Sequence, residues 1–386
     1  MIGAGPVGLF LAHALGQAGL QTLLLEKRGE TEAPSMAIGL MPPSLRLFEQ
    51  VRLSDPLVAA GVRVRTAVVH DQREPLGHLD FTSLPPPFSF ILSLPQGELM
   101  SLLRKRLADQ PSVQFIPSCL ATGVRQDKDC IRVQTEDVLT GRASEYAARY
   151  AVACDGHDSD LRRFLQIPVS AKRYAPSFVM GDFPDVTDWA DAAHLFFTPT
   201  GSVESFPLPN RRRRWVALSP DGRPDTASLV RCVQSITGVN LPAQEEQWHS
   251  SFTPCRQLAH AFYQGRALLC GDAAHVMSPI GGQGMNTGFA DAWHLAATLR
   301  RLLRSGGSEA SLLADYESTR RRAFRIAANR AACGMWLGAH KGARFSALRS
   351  HLIRRVLLRP PLALRLPAYF AMLTIPGGAI PAPETP

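Results

Sequence analysis

A glycine-rich segment near residue 280 combines the residues best suited to hold a bound cofactor. It contains a short buried strand from Ala267 to Cys270, a Gly-Asp corner, a loop and a long amphipathic helix. The loop lies directly before the helix, so uncovered backbone N–H groups and the positive end of the helix dipole predict an anion site. The carboxylate of Asp272 repels phosphate but accepts hydrogen bonds from hydroxyl groups. An ordinary turn is the alternative, which three glycines in four positions disfavour.

A second candidate site lies at the amino-terminal end. Gly3, Gly5 and Gly8 form a G-x-G-x-x-G pattern, which a helical pattern, a strand and Glu26 follow. In such a unit the first glycine makes the turn, the second lets the backbone approach a pyrophosphate, and the third lets the helix pack closely. The acidic residue binds ribose hydroxyls, so the unit predicts a dinucleotide site and allows FAD or NAD. Lys27 directly follows Glu26. It is interpreted either as a contact for the adenine-side phosphate or as a solvated side chain.

The residues before this fingerprint are too few for a full strand. A strand of about five residues should precede it, yet only Met1 and Ile2 do. We expect either that the true start lies upstream or that the first strand, which should be central in its sheet, is truncated.

A third segment supplies another carboxylate and a guanidinium group. A hydrophobic strand from Tyr150 to Cys154 ends at Asp155, and Arg162 follows in the same tight turn. The carboxylate accepts hydrogen bonds from ribityl or ribose hydroxyls, and the arginine pairs with the carboxylate or with a phosphate.

Together these segments resemble the p-hydroxybenzoate hydroxylase type of FAD-dependent aromatic monooxygenase, the class A flavoprotein monooxygenases. The motifs occur in family order: Gly3–Gly8 with Glu26, Asp155–Arg162, and a "GD" fingerprint of Gly271-Asp272, Pro279, Gly281-Gly282-x-Gly284, Asn286, Gly288 and Asp291-Ala292. The resemblance implies one FAD and either NADH or NADPH as reductant. It also implies hydroxylation by O2, through a flavin C4a-hydroperoxide, of an aromatic or polyketide-like small molecule.

The resemblance implies roles for individual residues. A hydroperoxide needs a dry, apolar cavity, and the resemblance places the border of this catalytic cavity at Pro279, Gly281 and Gly282. Backbone N–H groups of the first helical turn would stabilise the anionic reduced flavin; they belong to Gly284, Met285 and Asn286. Gln96 matches a glutamine that reaches the flavin side, with a surface glutamine as the alternative. We expect no metal and no protein nucleophile.

The pattern of elements predicts an α/β fold with two interleaved domains and C-terminal helices. A Rossmann-like FAD-binding domain is expected over residues 1–65, 95–170 and 255–330. Short strands separated by turns predict an antiparallel β-sheet substrate domain over residues 66–94 and 171–254, in which residues 88–94 form an edge segment. Residues 331–386 form the predicted C-terminal helical segment.

Charge and cysteine content limit the partners and the compartment. The formal net charge is +9, and no acidic residue lies between Glu317 and Glu384. This excess favours an anionic partner, such as a substrate carboxylate, an acidic carrier protein or an anionic membrane face, rather than nucleic acid, although a solvated helix face explains it equally well. Seven scattered cysteines without C-x-x-C spacing predict a cytoplasmic protein without disulfides or zinc. The apolar amino-terminal segment lacks a basic n-region and is not expected to be an export signal.

Four weaker interpretations remain. A flavin-dependent halogenase would carry a W-x-W-x-I-P motif, which the sequence lacks. A membrane-associated flavin epoxidase or prenyl reductase would use the basic, apolar stretch from Leu348 to Ile375 as an amphipathic membrane contact. Arg211–Arg214 is a basic hairpin for an anion or, more safely, a solvated turn. His194 is a speculative catalytic base, with a sheet-core or surface histidine favoured. Oligomeric state does not follow from the sequence.

Overall fold

The computed structural model describes residues 1–29, 37–72, 74–219, 225–304 and 308–375. Its helices are α1 (Pro6–Gln17), α2 (Pro42–Gln50), α3 (Ser54–Ala60), α4 (Gln96–Arg106), α5 (Asp160–Phe164), α6 (Thr226–Thr237), α7 (Gln283–Arg304), α8 (Glu309–Ala339), α9 (Ala343–Leu352) and α10 (Leu362–Phe370). The first strands are β1 (Thr22–Leu25), β2 (Gly39–Leu40), β3 (Val62–Val64), β4 (Thr66–His70), β5 (Pro75–Asp80), β6 (Ile91–Ser93), β7 (Val113–Ile116), β8 (Cys119–Gln126), β9 (Ile131–Asp137), β10 (Ala143–Ala148) and β11 (Ala151–Ala153). The remaining strands are β12 (Val169–Arg173), β13 (Phe178–Pro184), β14 (Ala193–Thr198), β15 (Gly201–Leu208), β16 (Arg212–Leu218), β17 (Trp248–Phe252), β18 (Cys255–Ala259), β19 (Tyr263–Gln264), β20 (Ala267–Leu269) and β21 (His275–Val276).

A mostly parallel sheet carries the amino-terminal fingerprint. Its strand order is β7–β1 on one side and β11–β20–β19 on the other, and Ile2 joins the two halves through parallel bridges to Leu25 and Ala153. Residues 1–3 therefore occupy the central strand position of this sheet. Helices α1, α2 and α7 pack together through the rings of Phe10, Phe48 and Phe289, whose centroids lie 4.9–5.5 Å apart in edge-to-face geometry.

A seven-stranded sheet forms the second layer, in the order β17–β13–β16–β15–β14–β4–β5. All its neighbouring strands are antiparallel except β14 and β4, which run parallel. Helix α6 covers one face, where Trp215 packs among Val179, Leu229 and Val233. The opposite face contacts the glycine-rich loop and helix α8 through Ile280 and Met335.

Smaller three-stranded sheets complete the structure: β10–β9–β8, β12–β18–β21 and β2–β6–β3. In the last of these, β6 is the central strand, so the prediction that residues 88–94 form an edge segment is wrong. The physical reason is burial, because Phe88, Phe90, Leu92 and Leu94 all pack into the main hydrophobic core. A run this apolar stabilises the fold most from an interior position.

The arginines of residues 211–214 also differ from expectation. Arg213 and Arg214 lie inside strand β16 with exposures of 0% and 1%, so the solvated-turn interpretation is wrong for them. Arg214 makes a two-atom contact with Asp182, at 2.6 and 2.7 Å, and Nε of Arg213 donates to Asp185 at 3.1 Å. Each buried cation thus has a carboxylate partner, as burial of a charge requires.

The C-terminal helices lie over the second sheet and mix buried and exposed groups. Arg320 and Arg349 are buried, so part of the basic excess is internal. Several large apolar side chains are exposed on this segment: Trp336, Leu348, Leu352, Val356, Leu362, Leu364 and Phe370. Within the described residues, no helix is both long and apolar enough to cross a bilayer.

Candidate cofactor and substrate site

The amino-terminal turn is tightly packed against the Asp155 motif. Gly3 has a φ of +97°, and a Cβ there would lie 2.4 Å from the carbonyl oxygen of Cys154. A Cβ on Gly8 would lie 2.0 Å from the Gly3 oxygen, so only glycine lets α1 approach this turn. A Cβ on Gly5 meets nothing described within 4 Å. The backbone of Gly5 is therefore open to a bound group, as expected for the second glycine of the fingerprint.

Glu26 and Lys27 lie beside this turn. One carboxylate oxygen of Glu26 accepts the N–H of Ala4 at 2.6 Å, and the other accepts the N–H of Arg28 at 3.0 Å. Glu26 therefore braces the glycine turn, and each oxygen keeps lone-pair capacity for a hydroxyl. The ammonium of Lys27 is half exposed and lies 3.9 Å from Asp160 at the start of α5.

The Asp155 turn holds an unsatisfied acceptor. Oδ2 of Asp155 accepts the N–H of Leu161 at 3.2 Å, whereas Oδ1 is buried without a hydrogen-bond partner among the described residues. Burial raises the pKa of this carboxyl, although hydrogen bonds from Ser159 and Leu161 oppose the shift. Because buried acceptors are nearly always paired in native proteins, Oδ1 fits a hydroxyl donor from a bound molecule.

Arg162 does not pair with Asp155 through a hydrogen bond in the described structure. It donates instead to the carbonyl oxygens of Ala273 and His157, each at 2.8 Å, and is 8% exposed. The guanidinium therefore ties the Asp155 turn to the Gly271-Asp272 corner. These two hydrogen bonds go to backbone carbonyls and not to the Asp155 carboxylate, and the predicted phosphate contact stays a prediction.

The Gly271-Asp272 corner meets the amino-terminal helix. Gly271 has a φ of +62°, and a Cβ there would lie 3.1 Å from the side chain of Val7. Gly288 in α7 faces the same valine, at 2.5 Å for an added Cβ. Asp272 is open to solvent, yet protein atoms crowd it enough that desolvation raises the pKa of its carboxyl. All three predicted motifs thus converge around Val7, Cys154 and Arg162.

The loop before α7 has the geometry of an anion site. Gly281 and Gly282 have φ values of +81° and +65°, and the N–H of Gly282 donates to Pro279 at 2.9 Å. Pro279 and Gly281 are exposed, while Gly284 and Met285 in the first turn of α7 are partly exposed. The first-turn N–H groups consequently point along the helix axis toward this loop.

Asn286 holds the loop by its side chain. Its Oδ1 accepts the N–H of Met41 at 2.9 Å and the hydroxyl of Ser44 at 2.7 Å, and its Nδ2 donates to Gly39 and Gly282 at 2.9 and 2.7 Å. The side chain is thus fully engaged within the protein, which leaves only its backbone for a cofactor contact.

Gln96 opens helix α4 and also pairs with backbone. Its N–H donates to Ala37 at 3.0 Å, and its side-chain oxygen accepts the Ala37 N–H at 3.2 Å. The side chain is partly buried rather than a freely exposed surface group. It positions the strand around Gly39 next to the loop.

A buried ionic network lies under the loop, and the sequence interpretation did not identify it. Nε2 of His275 lies 2.6 Å from Asp291, whose other oxygen accepts Nε of Arg320 at 2.5 Å. All three side chains are about 1% exposed. Burial alone would raise the pKa of Asp291, but His275 and Arg320 outweigh it and lower the pKa. The sequence signal for this network was Asp291 itself. An acidic residue at a core-facing position of a helix is rarely buried unless it is paired.

His194 is not placed to act as a base near the loop. It lies in β14 on the face covered by α6, stacked on Trp189 with a centroid distance of 4.0 Å, and it contacts His70 at 2.9 Å. Burial, followed by the charges of His70 and Arg213, lowers the pKa of His194 to about 3. The sheet-core interpretation is confirmed. Within the described residues, no group of histidine, cysteine or acidic side chains is arranged to hold a metal ion.

The fold and these motifs match known flavoproteins. A family described as "FAD binding domain" matches residues 1–331, so the chain belongs to this FAD-binding family. It is 30% identical over 334 residues to 6-methylpretetramide 4-monooxygenase from Streptomyces rimosus, which covers 82% of the chain and 58% of that relative. It is 26% identical to para-nitrophenol 4-monooxygenase from Pseudomonas sp. (strain WBC-3), over 84% of the chain and 82% of the relative.

A crystal structure agrees at the level of the fold. The p-nitrophenol 4-monooxygenase of Pseudomonas putida DLL-E4 superposes with a TM-score of 0.86, at 22% identity and 96% coverage of both chains. This likeness confirms the predicted fold class. Five of the curated relatives are considerably longer, since the chain spans between 52% and 67% of their length.

Proposed function

We propose that the protein binds FAD and uses NADH or NADPH and O2 to hydroxylate an aromatic or polyketide-like small molecule. The buried, unpartnered Oδ1 of Asp155, set where the three glycine and aspartate motifs meet, carries the proposal. Relatives whose names give this activity support it. FAD supplies the redox chemistry with the nicotinamide and oxygen; the chain supplies binding, orientation and exclusion of water.

Each motif would hold a different part of the cofactor. The open backbone at Gly5 and the start of α1 suit the pyrophosphate, because helix N-termini attract anions. Glu26 suits ribose hydroxyls, and Asp155 and Asp272 suit hydroxyls of the linking chain. The N–H groups of Gly284 and Met285 suit the negative edge of a reduced ring system.

The residues proposed to border the reacting atoms are Pro279, Gly281 and Gly282. The two glycines adopt left-handed φ values, and Ile280, between Pro279 and Gly281, packs on the seven-stranded sheet. The loop thus separates the proposed ring site from an apolar face that keeps water away.

Rapid-mixing absorbance measurements test this function. The FAD-loaded protein is reduced anaerobically with NADH or NADPH, with and without phenols and aromatic polyketides, and then mixed with labelled oxygen. We expect one compound to accelerate flavin reduction and to gain one labelled oxygen atom by mass spectrometry. Reduction without oxygen transfer to any compound would favour a flavin reductase instead. Asp155→Ala should weaken FAD binding about tenfold or more, the equivalent of about 1.4 kcal/mol.

A peripheral membrane contact is a second proposal that the C-terminal surface favours. Leu348, Leu352 and Leu364 are exposed among Arg355, Arg359 and other basic residues, the composition of an interfacial segment. Sedimentation with vesicles of anionic and of neutral lipid tests it, and equal recovery in both supernatants would contradict it. A cytoplasmic location remains our proposal, since all seven cysteines are free.

A further inference from the structure

Glu204 is a carboxylate in the middle of the seven-stranded sheet. It lies in β15, directly opposite Leu195 of β14 and Val216 of β16. Directly paired residues of antiparallel strands share a face, so Glu204 lies on the same face as these two apolar side chains. Its chain neighbours Val203 and Ser205 point to the other face, where Val203 packs in the cluster under α6.

The face that carries Glu204 is the one that meets the glycine-rich loop. Val216 packs in one cluster with Met335 of α8, and Ile280 of the loop packs against that cluster. Ile280 stands between Pro279 and Gly281, the residues proposed to border the reacting atoms. Glu204 therefore lies on the face of the sheet against which the loop packs.

Glu204 has no protein partner in the described part of the chain: no hydrogen bond or ion pair to it is formed. It keeps partial access to solvent, yet burial raises the pKa of its carboxyl to about 7. Burial disfavours the charged form of a carboxyl group, which accounts for the direction of this shift. Burying a carboxylate without a partner costs stability, which a ligand that donates a hydrogen bond would recover.

Other charged groups on this face are already engaged. Arg349 of α9 lies over the ring of Phe197 at 5.3 Å, and its terminal nitrogens donate to the oxygens of Leu337, Thr198 and Ser346. Burial alone accounts for the raised pKa of Glu204 and for the lowered pKa of Arg349. On the same face, Arg214 is paired with Asp182, so Glu204 has no ion-pair partner of its own among the described residues.

An open cleft shares Met335 with this face of the sheet, although Glu204 is not among the residues that line the cleft. Its volume is about 410 Å³, and Tyr174, Met335 and Trp336 contribute to its lining. Met335 also packs on Val216, the cross-strand neighbour of Glu204. A cleft of this volume accommodates a small aromatic compound.

We propose that Glu204 binds the ring hydroxyl of a phenolic substrate and removes its proton. This inference rests on the proposed hydroxylase function. The O–H bond of the phenol breaks, the proton moves to a carboxylate oxygen of Glu204, and the electron pair stays on the phenolate oxygen. That oxygen then donates electron density to the ring carbons that accept oxygen. The substrate class is consequently a neutral phenol, because a substrate carboxylate at this position would be repelled.

A ligand pair that differs by one methyl group tests the binding step without turnover. FAD-loaded protein is titrated with a phenol and with its methyl ether, and binding is followed by the change in flavin absorbance between pH 5.5 and 8.5 (about one and a half units on either side of the pKa). Above pH 7, we expect the phenol to bind about tenfold tighter than the ether, because only the phenol donates to the carboxylate. That preference should shrink as Glu204 takes up a proton at lower pH.

Variants then assign the effect to Glu204. Glu204→Gln should abolish the pH-dependent preference and lower kcat/KM for the phenol by about 10²- to 10⁴-fold, as expected for loss of a general base. Glu204→Asp should restore part of both. Glu145→Gln, the same change on strand β10 of a different sheet, is the control and should alter neither.

The outcomes separate this inference from the proposed function. Unchanged preference, pH dependence and kcat/KM in Glu204→Gln would overturn the role of Glu204 while leaving hydroxylation in place. If the wild-type protein hydroxylates no phenol yet shows the Glu204-dependent preference, the phenol site stands and the proposed reaction fails. Equal binding of phenol and ether by the wild-type protein would overturn the inference by itself.

Discussion

Replacing Asp291 by asparagine should strongly destabilise the protein. The carboxylate lies between His275 and Arg320 at 2.6 and 2.5 Å, and Arg320 is 1% exposed. The substitution keeps the shape of the side chain but removes the negative charge that His275 and the buried Arg320 contact. Breaking a buried ion pair in this way costs about 3–5 kcal/mol, a large part of the stability of a typical domain.

Urea unfolding followed by tryptophan fluorescence measures the loss, with Asp109→Asn as the control. Asp109 pairs with Arg106 at 3.5 Å, but both side chains are more than half exposed, so that substitution should cost about 0–1 kcal/mol. The double variant Asp291→Asn/Arg320→Met should recover much of the loss, because no uncompensated charge remains.

Equal losses for Asp291→Asn and Asp109→Asn would refute the reasoning. The pH dependence gives a second check. The folded pKa of Asp291 lies below its ordinary value of 3.8, so its contribution is complete above that value and is lost as pH falls through the lower folded value. The wild-type protein should therefore lose more stability than Asp291→Asn on acidification below pH 3.8.

Two further predictions concern the glycine turn and the histidine pair. Gly8→Ala should prevent α1 from packing, because the added Cβ would lie 2.0 Å from the Gly3 oxygen. This variant should lose both the cooperative thermal transition and FAD binding. In Gly5→Ala the added Cβ meets nothing described within 4 Å, so this variant should keep the transition and lose only FAD affinity. Equal melting of the two variants would contradict this. The pKa of His194 is about 3 in the folded protein and 6.5 in the unfolded chain. Between these values only the unfolded chain binds the proton, so the stability of the protein should fall as pH drops from 6.5 toward 3. His194→Gln should make the melting temperature depend less on pH, and an unchanged dependence would assign the effect to other groups.

The motifs and most elements were predictable because local patterns determine them. The helix predicted after the amino-terminal glycine pattern appears as α1, and the long helix predicted after the glycine-rich loop appears as α7. The glycine fingerprints require left-handed φ or close approach, and residue type alone signals both. The proposed domain boundaries and site residues stay predictions.

Long-range packing was not predictable in the same way. The sequence around Arg213 and Arg214 does not indicate that Asp185 and Asp182 pair with them, because Asp182 lies on strand β13 and Asp185 directly follows it. Helix α6 lies within the range predicted as an antiparallel sheet domain, and the sequence analysis predicted no helix there. Glu204 lies in a strand with the usual alternation of side chains, so the sequence does not mark it as unusual. Only its pairing with Leu195 and Val216 shows that it shares a face with apolar side chains.

The central position of Ile2 has a consequence for the order in which the protein forms. Ile2 bridges Leu25 and Ala153, and β11 in turn pairs with β20 near Leu269. Contacts between residues so distant in sequence slow folding, because the loop between them must be ordered first. During synthesis, the middle of this sheet can therefore form only after the ribosome has released β11. The Gly271-Asp272 corner can form only after β20 has been released. The amino-terminal segment is made before its partners in the sheet and is completed only after both have been released.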